Sequence, residues 1–272
     1  LNQSESSYEH GRLAIEINPR QARIRELISD GSFLTVDELA QRLNVAPQTI
    51  RRDVNALCDL GLARRRHGGV ERQVESGNLA YAARRQMNQT AKQLIAAKVA
   101  QRIPDNASVS FGIGSTPAMV ADALLKHQGL RIFTNNLSAA LIATNGEGFD
   151  VNIAGGHIRN SDQDITSVSA ESFFSGYRTD FGIFGVGGVD DDGCLLDFSE
   201  EEVRIRERIR ENCRESILVL DVTKFERPAH VRGGWLHDAD TIVCDAPPPQ
   251  PLSDSLAKHG RTLIVCDSAE SA

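Results

Sequence analysis

The sequence predicts an α/β chain in two parts: a small helical head ending in a hairpin, then a larger open α/β body. Three observations carry that prediction. Between residues 19 and 72, apolar residues recur at helical spacing in three short runs, and two β-like runs around a glycine turn follow. From Thr90 onward, short continuous apolar runs alternate with helical patterns, as in a mainly parallel sheet covered on both faces. Charge divides at the same point. Residues 1–90 hold 13 arginines and no lysine against 11 acids, whereas the rest of the chain holds 17 basic and 26 acidic residues. The 272 residues, net charge −7, therefore join a mildly basic head to an acidic body, which suggests two different partners.

The remaining composition narrows the class. An apolar fraction of 40% and a charged fraction of 25% describe an ordinary globular chain. No apolar run approaches the roughly 18 residues of a membrane helix, so no membrane partner is expected. The polar start LNQSESSYEHGRLAIEI lacks a basic segment followed by an apolar core and reads as a flexible tail over 1–18. The five cysteines, Cys58, Cys194, Cys213, Cys244 and Cys266, form no CxxC pair. They fit a reducing cytoplasm, with neither a metal site nor a cofactor expected.

Each element of the head has a local cause. Pro19 starts a helix carrying Ile24, Leu27 and Ile28 on one face, and Gly31 ends it. Thr35 and Glu38 form a capping box for a second helix with Val36, Leu39 and Leu43 as its stripe. After the turn Asn44-Val45-Ala46, Pro47 opens a third helix with Ile50, Val54 and Leu57 inward and Gly61 at its stop. Residues 62–70 then form the hairpin.

Two short helices joined by a tight turn, the second with Gln48, Thr49, Arg51 and Arg52 near its start, are the parts of a helix-turn-helix. Gln offers a donor and acceptor to adenine, Arg a fork to guanine, and the Thr methyl a contact with thymine. A wing bearing Arg64, Arg65, Arg66 and His67 would lie along phosphates, and Thr35 joins the predicted DNA-facing set. A helical trio docking on a protein partner could also carry arginines. Spacing, turn and arginine wing occurring together favour double-stranded DNA.

Residues 73–90 are polar and suit a linker, which leaves 91–272 as the body. Its expected strands are 108–111, 130–134, 151–154, 181–186, 217–220, 241–244 and 262–265, with helices over 91–102, 117–126 and 200–212. The loop FGIGSTP follows the first strand and opens a helix, a natural cradle for an anion. It is not a nucleotide loop of the lysine-bearing type, since no Gly-Lys-Ser/Thr follows. Nor is it a dinucleotide fingerprint, because Pro117 occupies the third glycine's place and Thr134-Asn135-Asn136 ends the next strand without an acid. Two hydroxyls and free backbone amides remain, which suit a single phosphate ester.

Open α/β sheets bind ligands at strand ends. Such ends here are Gly112, Gly114, Ser115 and Thr116; Thr134, Asn135 and Asn136; Gly155 and Gly156; Gly187; and Lys224, whose charge would hold the phosphate. One such turn would be only a turn, but several at one edge can converge on a pocket. Glu202 on a following helix could bond ligand hydroxyls. An isomerase would need a carboxylate base, and Asp190, Asp191, Asp192, Asp197 and Glu202 are available, but nothing in their spacing demands catalysis. The expectation is a sensor without enzymatic activity.

VDELAQRLNVAPQTIRRDVNALCDLGLARRRHGGV resembles the winged helix-turn-helix signature of the DeoR-type bacterial repressors. Ala46 departs from the Ser common there, at a cost of about 1 kcal/mol in lost capping that Pro47 partly offsets. The blocks SFGIGSTP, TNN, AGG and VLDVTKF are similar, in order, to that family's sensor domain, itself similar to ribose-5-phosphate isomerase. The resemblance implies a repressor that acts as a homo-oligomer, dimer or tetramer, and leaves its operator when a small phosphorylated effector binds. The versions RIFTNNL, AGGHIR and DFGIFGVGGVDDDGCLLDF resemble a branch whose effector is sn-glycerol 3-phosphate. Ser167 departs from a common Gly and would alter ligand choice if it lined the pocket.

Overall fold

The computed structural model describes residues 18–28, 33–59, 63–66, 68–71, 79, 81–225 and 227–266. The chain divides into two compact units, residues 1–74 and 75–272.

In the first unit, α1 (Pro19–Leu27) opens with a capping box between Asn18 and Gln21. The two-residue strand β1 (Leu34–Thr35) leads into α2 (Val36–Leu43), capped by Thr35 and Glu38 as the sequence predicts. Asn44, at φ 50°, turns the chain out of α2, and Pro47 begins α3 (Pro47–Asp59). The hairpin is β2 (Arg64–Arg66) with β3 (Gly69–Glu71). Sequence reasoning missed that β1 joins it, giving the sheet β1-β3-β2. Gly69 is what allows the join, because a Cβ there would lie 2.3 Å from the Leu34 carbonyl oxygen. Ile24, Ile28, Leu39, Ile50, Val54, Leu57 and Val70 form the core. Burial of each such side chain contributes about 1.5–3 kcal/mol. Buried Asp53 ties α1 to α3 by accepting from Arg20 Nε at 2.5 Å and from Gln21 Nε2 at 3.3 Å.

The second unit begins with α4 (Tyr81–Gln86) and α5 (Gln89–Ala100). The linker expected over 73–90 therefore ends sooner. Tyr81 is buried in the core with Ala83, and Arg84 pairs with Asp162 at 2.5 Å, so this polar stretch folds on two buried side chains and an ion pair. Next come β4 (Ser108–Phe111), α6 (Ser115–Ala123), β5 (Arg131–Thr134), α7 (Leu137–Ala143) and β6 (Asp150–Ile153). A small hairpin, β7 (Ile158–Arg159) and β8 (Asp164–Ile165), and α8 (Val168–Ser175) cross to β9 (Thr179–Phe184). Then follow β10 (Gly188–Val189), β11 (Cys194–Asp197), α9 (Glu200–Glu211), β12 (Cys213–Leu220), β13 (Val231–Trp235), β14 (Thr241–Cys244), α10 (Gln250–Lys258) and β15 (Thr262–Val265).

Seven of these strands form one parallel sheet in the order β15-β14-β12-β9-β4-β5-β6. Alternate residues face opposite layers. Ile217 and Val219 of β12 pack with α5 and α6, Leu218 and Leu220 with α9 and α10. Strands run one way from β4 and the other way from β9, so their junction is the topological switch point where such sheets hold ligands. β10, β11 and β13 make a separate antiparallel sheet beside it. No helix among the described residues is long and apolar enough to cross a membrane.

Candidate functional site

Two candidate sites lie on the two units. On the first, Gln48, Arg51 and Arg52 are exposed on the opening turns of α3 while Ile50, Asp53 and Val54 are buried behind them. Arg51 Nη1 donates to Gln48 Oε1 at 3.3 Å, so the two residues meant for base edges stand together. Thr49 is half-buried, and Arg65 is exposed on β2, the strand that also contains Arg64 and Arg66. His67 lies outside the described residues. Thr35 caps α2: its hydroxyl accepts from Glu38 N at 3.1 Å and donates to Glu38 Oε2 at 2.8 Å, which commits its one proton and leaves a lone pair on the oxygen.

On the second unit the strand ends at the switch point converge. Gly114 precedes α6 with φ +117°, a conformation open to glycine, and no side chain caps the helix. The Ser115 and Thr116 amides therefore lack both an intrahelical partner and a side-chain cap, whereas Pro117 has no N–H and Ala118 N donates to the Gly114 carbonyl at 3.4 Å. Ser115 and Thr116 are buried at that end. Asn136 fixes the loop by donating from Nδ2 to the Gly112 and Gly114 carbonyls at 3.2 and 2.9 Å, while its Oδ1 accepts from Ala139 N. Thr134 Oγ1 donates to the Phe111 carbonyl and accepts from Asn136 N. The Thr134 hydroxyl and the Asn136 amide thus hold the Gly112–Gly114 loop and the start of α7 in place.

Asn135 differs. Its Nδ2 donates to the Ile165 carbonyl at 2.8 Å, but its fully buried Oδ1 accepts no hydrogen bond among the described residues. It lines a cavity with Gly112, Thr166, Gly185, Asp197, Glu202 and Arg206. The cavity has room for about one water-sized group, so this unpaired buried acceptor can take a water or a single ligand hydroxyl.

The carboxylates of this cavity are already paired. Glu202 Oε1 meets Arg159 at 2.8 Å, and Arg159 also holds Asp164 through two bonds of 2.8 Å. Asp197 accepts from Gly187 N at 2.8 Å and Arg206 Nε at 3.0 Å, so the Gly187 amide is committed as well. Burial pushes both acids upward in pKa, and for Glu202 the neighbouring Asp197 adds to it. Gly155 and Gly156 stand apart from this cavity. They follow edge strand β6, with Gly156 packed on Ile165 and Ser167, and Ser167 caps α8.

Beside the α6 terminus lies a group of cations. Ser115 Oγ donates to the Arg84 carbonyl at 3.4 Å, and Lys92 Nζ donates to that same oxygen and to the Met87 carbonyl at 2.6 Å. Asn88 Nδ2 bridges to Asp221 Oδ1 at 2.9 Å and Thr223 Oγ1 at 3.0 Å, bringing the Lys224 turn alongside. The Lys224 ammonium sits deep among protein atoms although part of its side chain reaches the surface. Burial pushes its pKa down to about 7, and the like charges of Arg227, Arg84 and Lys92 push the same way. Burial likewise lowers Lys92 to about 8. Mutual repulsion among these groups is relieved by an anion.

Sequence reasoning missed Arg84, Lys92, Arg227 and Arg206. Two of them carried a readable signal: Lys92 shares a helix face with Ile95 and Val99, and Arg206 with Ile205 and Ile209. A cation on an apolar face is buried for a reason.

The DeoR-like helix-turn-helix domain matches residues 20–75 and the DeoR C terminal sensor domain residues 87–246. The chain is 40% identical to a glycerol-3-phosphate regulon repressor of Escherichia coli strain K12, covering 91% of this chain and 98% of that one. The Haemophilus influenzae protein of the same description is also 40% identical, with 91% and 96% covered. The Escherichia coli transcriptional repressor CsqR is 36% identical over 91% and 95%. Among solved structures, a D-ribose-5-phosphate isomerase in complex with phospho-erythronic acid matches at 19% identity, with 49% and 53% of the chains covered and a TM-score of 0.34. Both domain models match in order along one chain and the relatives are covered almost end to end: the chain belongs to the DeoR family of helix-turn-helix transcriptional regulators.

Proposed function

We propose that the chain represses transcription by binding operator DNA through α3 and the β2–β3 wing, and that a small phosphorylated effector, sn-glycerol 3-phosphate, releases it. The observation that carries the effector half is the uncapped N-terminus of α6 beside Lys92, Arg84 and Lys224. Amides and cations there suit a phosphate dianion, and Asn135 Oδ1 suits a hydroxyl on the same ligand. The relatives' descriptions as repressors of a glycerol-3-phosphate regulon supply the compound. The protein works in the cytoplasm as a homo-oligomer on paired half-sites, since symmetric operators are read by symmetric proteins. It is a sensor and not an isomerase: Glu202 and Asp197, which line the cavity beside Asn135, are held in ion pairs and are poorly placed to shuttle a proton.

Titration calorimetry tests this reading. sn-Glycerol 3-phosphate binds and glycerol does not. The charged form of Lys224 attracts the phosphate, and in the free protein it loses its proton as pH rises through about 7. Affinity therefore falls above pH 7, and binding takes up protons from the buffer. Equal binding of glycerol and its phosphate, or no proton uptake above pH 7 where the ester is already a dianion, removes the cradle from the effector's phosphate.

A further inference from the structure

The cradle is already in use. Ser115 Oγ and Lys92 Nζ converge on one atom, the carbonyl oxygen of Arg84. Lys92 also holds the Met87 carbonyl, so its ammonium donates to one carbonyl in the last turn of α4 and to one just past its end. The Arg84 side chain is anchored separately, by Nε to the Leu79 carbonyl at 2.8 Å and by Nη2 to Asp162. α4 is held by buried Tyr81 and Ala83, by the Tyr81 amide donating to the Ser161 carbonyl at 2.8 Å and by half-buried Arg84, and with six residues it cannot persist as an isolated helix. It is also the first described helix after the DNA-binding unit, which ends at Val74.

We propose that the effector's phosphate competes with α4 for these two donors: on binding, Ser115 Oγ and Lys92 Nζ turn from the Arg84 and Met87 carbonyls to phosphate oxygens, and α4 loosens at the junction with the DNA-binding unit. The inference rests on the effector site proposed above and adds what that site regulates. An oxygen carrying part of a dianion's charge accepts more strongly than a peptide carbonyl, so the exchange favours the phosphate. Like charge adds to this, because Arg84 and Arg227 repel Lys92 and all three repel Lys224, a repulsion that Asp221 offsets in part and a phosphate would offset further. Ser115 has one hydroxyl proton and cannot give it to the Arg84 carbonyl and to a phosphate at once, and Lys92, with two of its three protons on α4 carbonyls, can face a phosphate fully only by leaving them; that competition is the coupling.

Hydrogen exchange on the full-length chain, with and without saturating sn-glycerol 3-phosphate, decides the matter. Exchange at the amides of residues 84–88 speeds up at least several-fold, while those of Ser115, Thr116 and Ala118 slow down. Lys92→Met, which keeps the stem and removes the donors, reaches the fast state at 84–88 without effector, and the effector then adds less than twofold. If the effector binds and slows 115–118 but leaves 84–88 unchanged or slower, the competition is overturned while the effector site stands. No binding by calorimetry overturns both. Should Lys92→Met fail to fold, the wild-type measurement alone still decides.

Discussion

In the head, Gln48, Arg51, Arg52 and Arg65 stand exposed on elements whose folding depends on other residues, whereas in the body Ser115, Asn135, Glu202 and Arg206 are themselves buried. The reason lies in the ligands. Duplex DNA is larger than the head and meets it from outside, so its readers need water-facing positions on a rigid helix. A small effector has to be enclosed, so in the function proposed above the groups that hold it sit among buried side chains where every polar atom needs a partner. Function and stability are therefore separable in the head and entangled in the body.

The largest effect expected from that contrast is at Arg206. Its buried guanidinium donates to Asp197 at 3.0 Å and to the Gly233 carbonyl at 2.5 Å. Arg206→Met leaves Asp197 buried without its counter-charge and destabilises the body by about 3–5 kcal/mol. Urea unfolding of the full chain, followed by a probe of the second unit, measures it. A loss under about 1 kcal/mol would break the contrast. The head's counterpart is Arg51→Ala, which weakens specific DNA binding by about 1–3 kcal/mol and leaves unfolding within about 0.5 kcal/mol of the parent. Binding to operator and to random duplex, measured beside a melting curve, checks both halves. A large stability loss at Arg51 would show that α3's outer face also holds the head together.

The same contrast explains what could be read from the sequence. The head's three helices and hairpin were legible because caps, prolines and apolar spacing are local, and one helix carries Gln48, Thr49, Arg51 and Arg52 together. What was missed there, β1 beside β3, depends on a two-residue strand with no periodicity of its own. In the body the central strands and the Gly112–Thr116 loop were legible for the same local reasons. The division of labour within Thr134-Asn135-Asn136 was not: only the fold tells which of three adjacent polar side chains faces the cavity and which two hold the loop. Arg84 was hidden more deeply still. It lies in a stretch read as linker, and its partner Asp162 is 78 residues away.

Thr35 gives the smallest effect and the sharpest exception, since it is a half-exposed head residue whose hydroxyl serves the fold. The sequence supported both a DNA contact and a cap; the geometry assigns the hydroxyl to the cap. Thr35→Ala removes the acceptor for Glu38 N and costs about 1 kcal/mol of head stability. Thr35→Ser, which restores the oxygen without the methyl, recovers most of it. Affinities for operator and random duplex fall together in the alanine variant, if at all, because a loosened α2 shifts α3 as a body without altering which base it prefers. Denaturant melts of the two variants and a base-substituted operator series measure this. A change of preference at one base pair, with stability intact, would return Thr35 to the DNA surface and make the head's separation of function from fold complete.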